Sequence, residues 1–316
     1  MATLIYTHNQ SFHPDEILAI ALLQSTALRH EKTTVIRTRD PKVLTDAQQD
    51  PKAFVIDVGF IYDPAMLNFD HHQKTMTRAW PDGTPYSACG LIWSWLRERG
   101  HLVSWGADDV LDAFEERLVI PADKHDNGVK AWDEGLFLMR YNRSNKGEEG
   151  GRVYFDRALA VAHDLLENVR LEVQRDIEAK RRMVRALAEP IHAERLVVIE
   201  DIRAHRFPYW ASRLTDGEVQ LVLTRRADSP SQWNLTSTPA VLEDEFTTAW
   251  PAPEDWRGRK DFTVSTPVGE VEIVFCHKCG HLTVVDGTIE QAIAVAQLIQ
   301  QAGHQASAVE DPVSLA

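Results

Sequence analysis

The sequence predicts an α/β protein built from a parallel-sheet N-terminal domain, a long connecting helix and a smaller α+β C-terminal domain. Three observations carry that expectation. Short β-branched or aromatic runs alternate with helical patterns through residues 1–153, as βαβ units do. Residues 154–188 then repeat apolar side chains every three or four positions. From Arg195 onward short strands dominate, closed by one last helix. The expected boundaries are 1–153, 154–190 for the connector, 191–305, and a tail at 306–316; a chain of 316 residues suits two domains of ordinary size.

Taken in order, residues 2–8 read as a strand that ends at His8. Pro14 fits a first helical turn, and residues 15–30 follow as a helix with Ile17, Leu18, Ala21, Leu22 and Leu28 on one side. A second strand (33–38), a polar helix (40–50) and an apolar strand (53–58) come next. Asp57 interrupts that last run, which places it at the strand's carboxyl end. Ligands of parallel sheets gather at such ends, so His8 and Asp57 are expected together. After a turn at 59–63, residues 67–72 deliver Asp70-His71-His72, and 73–85 form a loop over it. Helices are expected at 87–99 and 108–120, the second stopping near Pro121, with a turn at Asn127-Gly128. The helix over 154–188, which Pro190 ends, would span roughly 50 Å at 1.5 Å per residue. Strands follow at 196–199, 219–224, 233–236, 262–265 and 270–275, then a helix at 289–301 and a loose tail.

Composition narrows the partners. Hydrophobic residues make up 44 %, yet no apolar run nears the ~20 residues of a membrane helix, so no membrane partner is expected. Three cysteines (Cys89, Cys276, Cys279) argue against a disulfide framework. The N-terminal residues lack the charged-then-apolar pattern of a signal peptide, and both features favour a cytoplasmic location. A net charge of −13 excludes a protein that coats duplex nucleic acid. It leaves room for a nucleic-acid or nucleotide substrate met by metal ions, which bring their own positive charge. Composition also admits a homo-oligomer.

The chemistry is concentrated in four stretches: His8 to Asp15, Asp57, Asp70-His71-His72, and Asp123 to Asp126. Imidazole and carboxylate in this mixture suit divalent cations, Mn²⁺ foremost, then Mg²⁺ or Co²⁺, with Zn²⁺ also fitting. The candidate metal ligands are His8, His13, Asp15, Asp57, His71 and one or both of Asp123 and Asp126. Two ions would share a carboxylate, and Asp57 is the central one. Ions so placed acidify a water and neutralise charge on a phosphoryl group, which is phosphoester hydrolysis. Adjacent imidazoles seldom serve one ion, so of residues 71 and 72 one can bind metal and the other donate to a phosphate oxygen. Asp70 would then fix an imidazole tautomer. Asp57, His71 and His72 are accordingly the candidate catalytic residues. Singly, each residue has a plainer reading, such as Asp15 as a helix cap; the joint pattern is what points to one site.

Tyr6-Thr-His-Asn-Gln-Ser-Phe-His-Pro-Asp-Glu16, Asp57-Val-Gly-Phe-Ile-Tyr-Asp-Pro64, Phe69-Asp-His-His-Gln73, Ser87-Ala-Cys-Gly-Leu-Ile92 and Asp123-Lys-His-Asp-Asn-Gly128 resemble, in order and spacing, the motifs of the MYG1 family (UPF0160) of the DHH phosphoesterase superfamily. Trp256-Arg257-Gly258 and Phe275-Cys-His-Lys-Cys-Gly280 extend the resemblance along most of the chain. It implies a DHH-type N-terminal domain. It implies His8, His13 and Asp15 from the first motif and Asp57 from the second. From the third it implies His71 as the metal ligand, with His72 facing substrate. One aspartate comes from the last of these motifs, with Asp123 and Asp126 both open. It further implies metal-dependent hydrolysis with 3′–5′ exonuclease action.

Superfamily enzymes close a second domain over the metals. The substrate contacts expected there are Arg225, Arg257, His277 and the backbone of Gly280, within a basic set that includes Arg203, His205, Arg206, Arg226, Arg259 and Lys260. In the family, phenylalanine follows the glycine where this chain has His281. A zinc site at Cys276, His277, Cys279 and His281 is disfavoured, because His277, Cys279 and His281 alternate onto one strand face and Cys276 points away. Trp233 and Trp256 read as core. The expected activity is divalent-metal-dependent hydrolysis of phosphodiesters in short single-stranded RNA or DNA from the 3′ end. The alternatives are a small-molecule phosphatase for pyrophosphate or cyclic dinucleotides, and a non-catalytic nucleotide-binding regulator.

Overall fold

The computed structural model describes residues 2–142, 147–189, 195–200, 206–242, 244 and 247–309. Its contacts divide it into two units, Met1–Gln174 and Arg175–Ala316. Pro190, Arg203, His205 and residues 310–316 of the expected tail lie outside the described residues.

The first unit is a sheet with helices on both faces. In chain order it runs β1 (Thr3–Thr7), α1 (Pro14–Ser25), β2 (Thr33–Arg37), α2 (Pro41–Gln49), β3 (Phe54–Ile56), β4 (Tyr62–Asp63) and β5 (Asn68–Phe69). The strand order is β2-β1-β3-β5-β4, and only the β4–β5 pair is antiparallel. Alternation sorts the side chains: Ile5, Phe54 and Ile56 join the large core under α1, while Val55 packs with Leu44, Ala47 and Val58 under α2. Every residue of α1 from Pro14 to Leu23 is buried, apolar from Ile17 onward and carrying Asp15 and Glu16 in its first turn. Asp40 caps α2, its Oδ1 accepting from the backbone N–H of Lys42 at 2.8 Å and of Val43 at 3.2 Å.

Beyond β5 the unit is helical: α3 (Ala88–Glu98), α4 (Asp108–Phe114), α5 (Ile120–Asp126) and α6 (Asp133–Met139). The expectation that a helix stops near Pro121 is corrected. A π-helical segment, Glu115–Val119, joins α4 to α5, and the helix continues through Pro121. Proline lacks an N–H and its ring strikes the carbonyl four residues back; widening the helix just upstream removes that conflict. Helix α6 escaped the sequence reading because Gly135 sits in it, and a Cβ there would stand 2.8 Å from the ring of Trp132.

Helix α7 (Gly147–Ala188) starts ahead of the expected residue 154. The division between units falls within it. Phe155, Ala158, Leu159, Ala162 and Leu166 belong to the first unit's core, whereas Ala179 and Met183 pack in the second.

The second unit holds β6 (Leu196–Ile199), α8 (Phe207–Leu214), β7 (Leu221–Arg225), β8 (Gln232–Ser237), β9 (Lys260–Thr266), β10 (Gly269–Cys276), β11 (Leu282–Asp286) and α9 (Ile289–Val309). The strand order is β6-β7-β8-β11-β10-β9, antiparallel except for β6–β7. Leu221 and Leu223 face a core with Trp233, Trp256 and α9, while Val222 faces α8 and the end of α7. Strand β11 and helix α8 were not anticipated. Among the described residues no helix is long and apolar enough to cross a membrane.

The first core gives a direct test. Trp93 is fully buried, stacks on Phe114 at 5.0 Å and donates from Nε1 to Glu115 at 2.6 Å. Trp93→Ala should destabilise the protein by about 3–5 kcal/mol, read as a lower urea midpoint at unchanged slope.

Candidate metal centre

Three ligand-bearing segments leave the carboxyl ends of adjacent parallel strands: His8 follows β1, Asp57 follows β3 and Asp70 follows β5. Asp57 turns sharply, with φ +58°. Aspartate tolerates this left-handed conformation better than most residues. The turn is fixed by the Asp57 N–H donating to the Phe69 carbonyl at 3.0 Å.

Asp57 stands between two groups of side chains. Its Oδ2 lies 3.2 Å from His8 Nε2, and its Oδ1 lies 3.2 Å from His71 Nε2. His8 Nε2 is also 3.1 Å from Glu16 Oε1. Asp126 Oδ2 is 3.3 Å from His71 Nε2, and its Oδ1 is 3.9 Å from His13 Nδ1. Three overlapping sets of potential donors result: His8, His13, Glu16 and Asp57; Asp57, His71 and His72; and His13, Asp15 and Asp126. The structure thus brings together His8, His13, Asp15, Asp57, His71, His72 and Asp126.

Asp123 and Asp126 differ in surroundings although three residues apart on α5. Asp123 is completely buried. It accepts from Trp80 Nε1 at 2.6 Å, Ser87 Oγ at 2.5 Å and the Gly90 N–H at 3.0 Å. All its partners are donors within the protein. Ser87, at the start of α3, therefore bonds Asp123 rather than its own helix. Gly90 is required, since a Cβ there would stand 2.1 Å from Asp123 Oδ2. Asp15 supports the same helix end, accepting the Ala88 N–H at 3.2 Å with Oδ2. Of the two aspartates the sequence left open, Asp126 is the one among the imidazoles.

Asp70 links His72 to the turn that follows Asp57. Its Oδ1 accepts from His72 Nδ1 at 2.8 Å and from the His72 N–H, and its Oδ2 accepts the Phe60 N–H at 2.8 Å. The half-exposed His72 ring is thereby fixed through Nδ1. Glu16, missed by the sequence reading, is fully buried and accepts the His13 N–H at 2.8 Å. Its signal was the three-residue spacing from His13, as in a capping box.

The electrostatics are those of crowded, buried carboxylates. Burial and the neighbouring Asp57 and Asp126 push Asp15 well above the usual range. Burial acts likewise on Asp57, but His71 and His8 outweigh it and hold that carboxyl low. Burial disfavours protonated His8, yet Asp57 and Glu16 prevail and raise it to about 10. Burial lifts Asp123 to about 7 against the pull of Ser87, Trp80 and Gly90. Four buried atoms in the cluster, His8 Nε2, Asp15 Oδ1, Asp57 Oδ1 and His71 Nε2, have no well-aligned hydrogen bond. Buried polar atoms are ordinarily satisfied. A mixed nitrogen and oxygen donor set with unsatisfied atoms converging on shared space is what divalent cations require, so the residues fit a metal centre.

In the second unit, Arg257, His277 and Gly280 come together. The Gly280 N–H donates to the His277 carbonyl at 2.7 Å, the Ala252 N–H donates to the Gly280 carbonyl at 2.9 Å, and Arg257 Nε donates to the Ala252 carbonyl at 2.7 Å. Gly280 has φ +73°, and a Cβ there would stand 2.9 Å from the Ala252 nitrogen. The His277 and His281 rings are 4.3 Å apart. Arg225 does not join them. It ends β7 opposite Trp233, its guanidinium over that ring, whereas Ser237 at the other end of the pair bonds His281. Four residues of strand, about 13 Å, separate the two ends.

A family model described as an uncharacterised protein family (UPF0160), MYG1_exonuc, matches residues 4–299. Relatives include the MYG1 exonuclease of Mus musculus, 27 % identical over 314 residues, 88 % of this chain and 80 % of the relative. The MYG1 protein of Chlamydia pneumoniae is 30 % identical over 281 residues, 87 % of this chain and 89 % of the relative. Among solved structures, RecJ of Thermus thermophilus in complex with Mn²⁺ is matched at 13 % identity and a TM-score of 0.28, over 96 % of this chain and 52 % of that one. This chain thus spans about half the length of that structure.

The division between the two α5 aspartates is testable. Asp123→Asn places an amide N–H₂ among donors and should cost about 1–3 kcal/mol of stability, seen as a lower Tm without added metal. Asp126→Asn should keep the Tm and weaken Mn²⁺ binding in isothermal titration by about tenfold or more, roughly 1.4 kcal/mol. Equal effects of the two variants on both readouts would contradict the assignment.

Proposed function

This chain belongs to the UPF0160 (MYG1) family, and from that membership and the geometry of its carboxylate–imidazole centre we propose that it is a divalent-metal-dependent phosphodiester hydrolase, a 3′–5′ exonuclease on short single-stranded RNA or DNA. The observation that carries this reading is the convergence of buried, unsatisfied donor atoms from His8, Asp15, Asp57 and His71. His8, His13 and Asp57 would hold one ion, with Glu16 at hand. Asp15, Asp57, His71 and Asp126 would hold a second, and Asp57, whose two oxygens face opposite imidazoles, is common to both. The carboxylates suit Mn²⁺, with Mg²⁺ or Co²⁺ as substitutes. Such ions, when bound, acidify a water and neutralise charge on the phosphoryl oxygens.

The protein's own groups do the positioning. The left-handed turn at Asp57 aims both carboxylate oxygens inward. Glu16 draws the start of α1 against His8, so the β1–α1 loop is held at both ends. His72 is anchored to Asp70 through Nδ1, which leaves its Nε2 side for a phosphate oxygen of the substrate. The acidic surface, with a net charge of −13, suits short strands rather than long duplexes.

Purified protein with Mn²⁺ should release mononucleotides from the 3′ end of a labelled oligoribonucleotide, stop on addition of EDTA and resume when Mn²⁺ is restored. Asp57→Asn and His71→Ala should each lower kcat/KM by about 10³-fold or more, roughly 4 kcal/mol. Full activity in either variant, or phosphate release from pyrophosphate with none from oligonucleotides, would refute the nuclease reading. His72→Ala should reduce turnover while leaving Mn²⁺ affinity within about twofold, because its role is toward substrate.

A further inference from the structure

Phe60 is the largest apolar side chain beside the metal centre that lies open to solvent, 70 % exposed. It sits three residues after Asp57, with its ring centroid 6.0 Å from that of His72. Its backbone is left-handed, φ +58°, a conformation that suits glycine and is costly for a bulky residue. Strain of this kind persists where the surroundings over-determine it, and it collects at functional sites.

The turn bearing Phe60 is pinned from three directions. Its own N–H donates to Asp70 Oδ2 at 2.8 Å, the Asp70 N–H donates to the Ile61 carbonyl at 3.1 Å, and Gln48 Nε2 donates to the Gly59 carbonyl at 3.0 Å. One carboxylate, Asp70, therefore positions Phe60 through one oxygen and His72 through the other. The ring belongs to none of the buried cores among the described residues, unlike Trp233 and Trp256. An aromatic face in water, carried on a backbone turn held by three hydrogen bonds and one ring away from His72, has the properties of a stacking surface.

We propose that Phe60 is a nucleobase platform: its ring stacks on the base of the nucleotide whose phosphate His72 meets. This rests on the nuclease reading and adds a base-recognising residue to it. The two rings lie 6.0 Å apart, so a single nucleotide can touch both, its base on Phe60 and its phosphate on His72. Stacking is indifferent to base identity, because every base has a π face. The platform would therefore serve an exonuclease that removes successive nucleotides of any sequence.

The experiment compares two labelled oligonucleotides that differ only in the 3′-terminal residue, one intact and one abasic. Binding is measured by fluorescence anisotropy in Ca²⁺, and turnover separately in Mn²⁺. Wild type should prefer the intact end by about 5- to 100-fold, in Kd and in KM rather than in kcat. Phe60→Ala and Phe60→Gly should erase that ratio, and Phe60→Trp should restore it. Phe60→Gly, freed of the left-handed penalty, should melt at or above the wild-type temperature, which separates loss of the ring from loss of fold. A wild type that treats both ends alike, or a Phe60→Gly variant that keeps the preference, overturns the platform. If binding discriminates while neither oligonucleotide is hydrolysed, the hydrolase reading falls and the platform stands.

Discussion

Like charges buried side by side must be met by something, and the first unit is organised around that requirement. Asp15, Glu16, Asp57 and Asp126 share a small volume with His8, His13 and His71. Asp57 is held ionised by its imidazole neighbours, while Asp15 is pushed toward its neutral form by burial and the adjoining carboxylates. The protein meets part of the charge itself. The buried N–H groups of the first turn of α3, which have no partner within the helix, donate to Asp15 and Asp123, an arrangement that helix ends favour for anions. The remaining atoms without well-aligned hydrogen bonds lie close enough together to hold a metal ion.

Much of this was legible in the sequence because strand ends are easy to read. A β-branched run stopping at His8, and an apolar run broken only by Asp57, place both residues at the carboxyl edge of a parallel sheet with few alternatives. Pro14 marks a helix start by simple stereochemistry. The family resemblance implies different roles for His71 and His72, and the two imidazoles have different surroundings. His71 is nearly enclosed between Asp57 and Asp126, and His72 is half open to solvent.

What sequence could not supply was anything decided by tertiary neighbours. The choice between Asp123 and Asp126 depends on Trp80, Ser87 and Gly90, none of which is close to α5 in the chain. Glu16 reads as an ordinary charged residue of a helix's first turn until α1 is seen to be buried on all sides. Arg225 was grouped with Arg257 and His277 by residue type, and a sheet register, invisible in composition, puts it at the opposite end of the strand pair. Helices α6 and α8 are short, and in α6 a mid-helix glycine hid the periodic signal.

The π-helical segment before Pro121 has a consequence for chain length. Widening a helix by one turn of this kind accommodates a single additional residue, and each residue advances the helix by about 100°. Val110, Leu111 and Phe114 upstream and Asp123 downstream are all buried, and that extra residue lies between them and sets their relative phase. A homologue lacking one residue between Glu115 and Val119 would keep Asp126 in its alignment and still turn it about 100° away from His13 and His71. Spacing at this point constrains function as strictly as the identity of the side chains does.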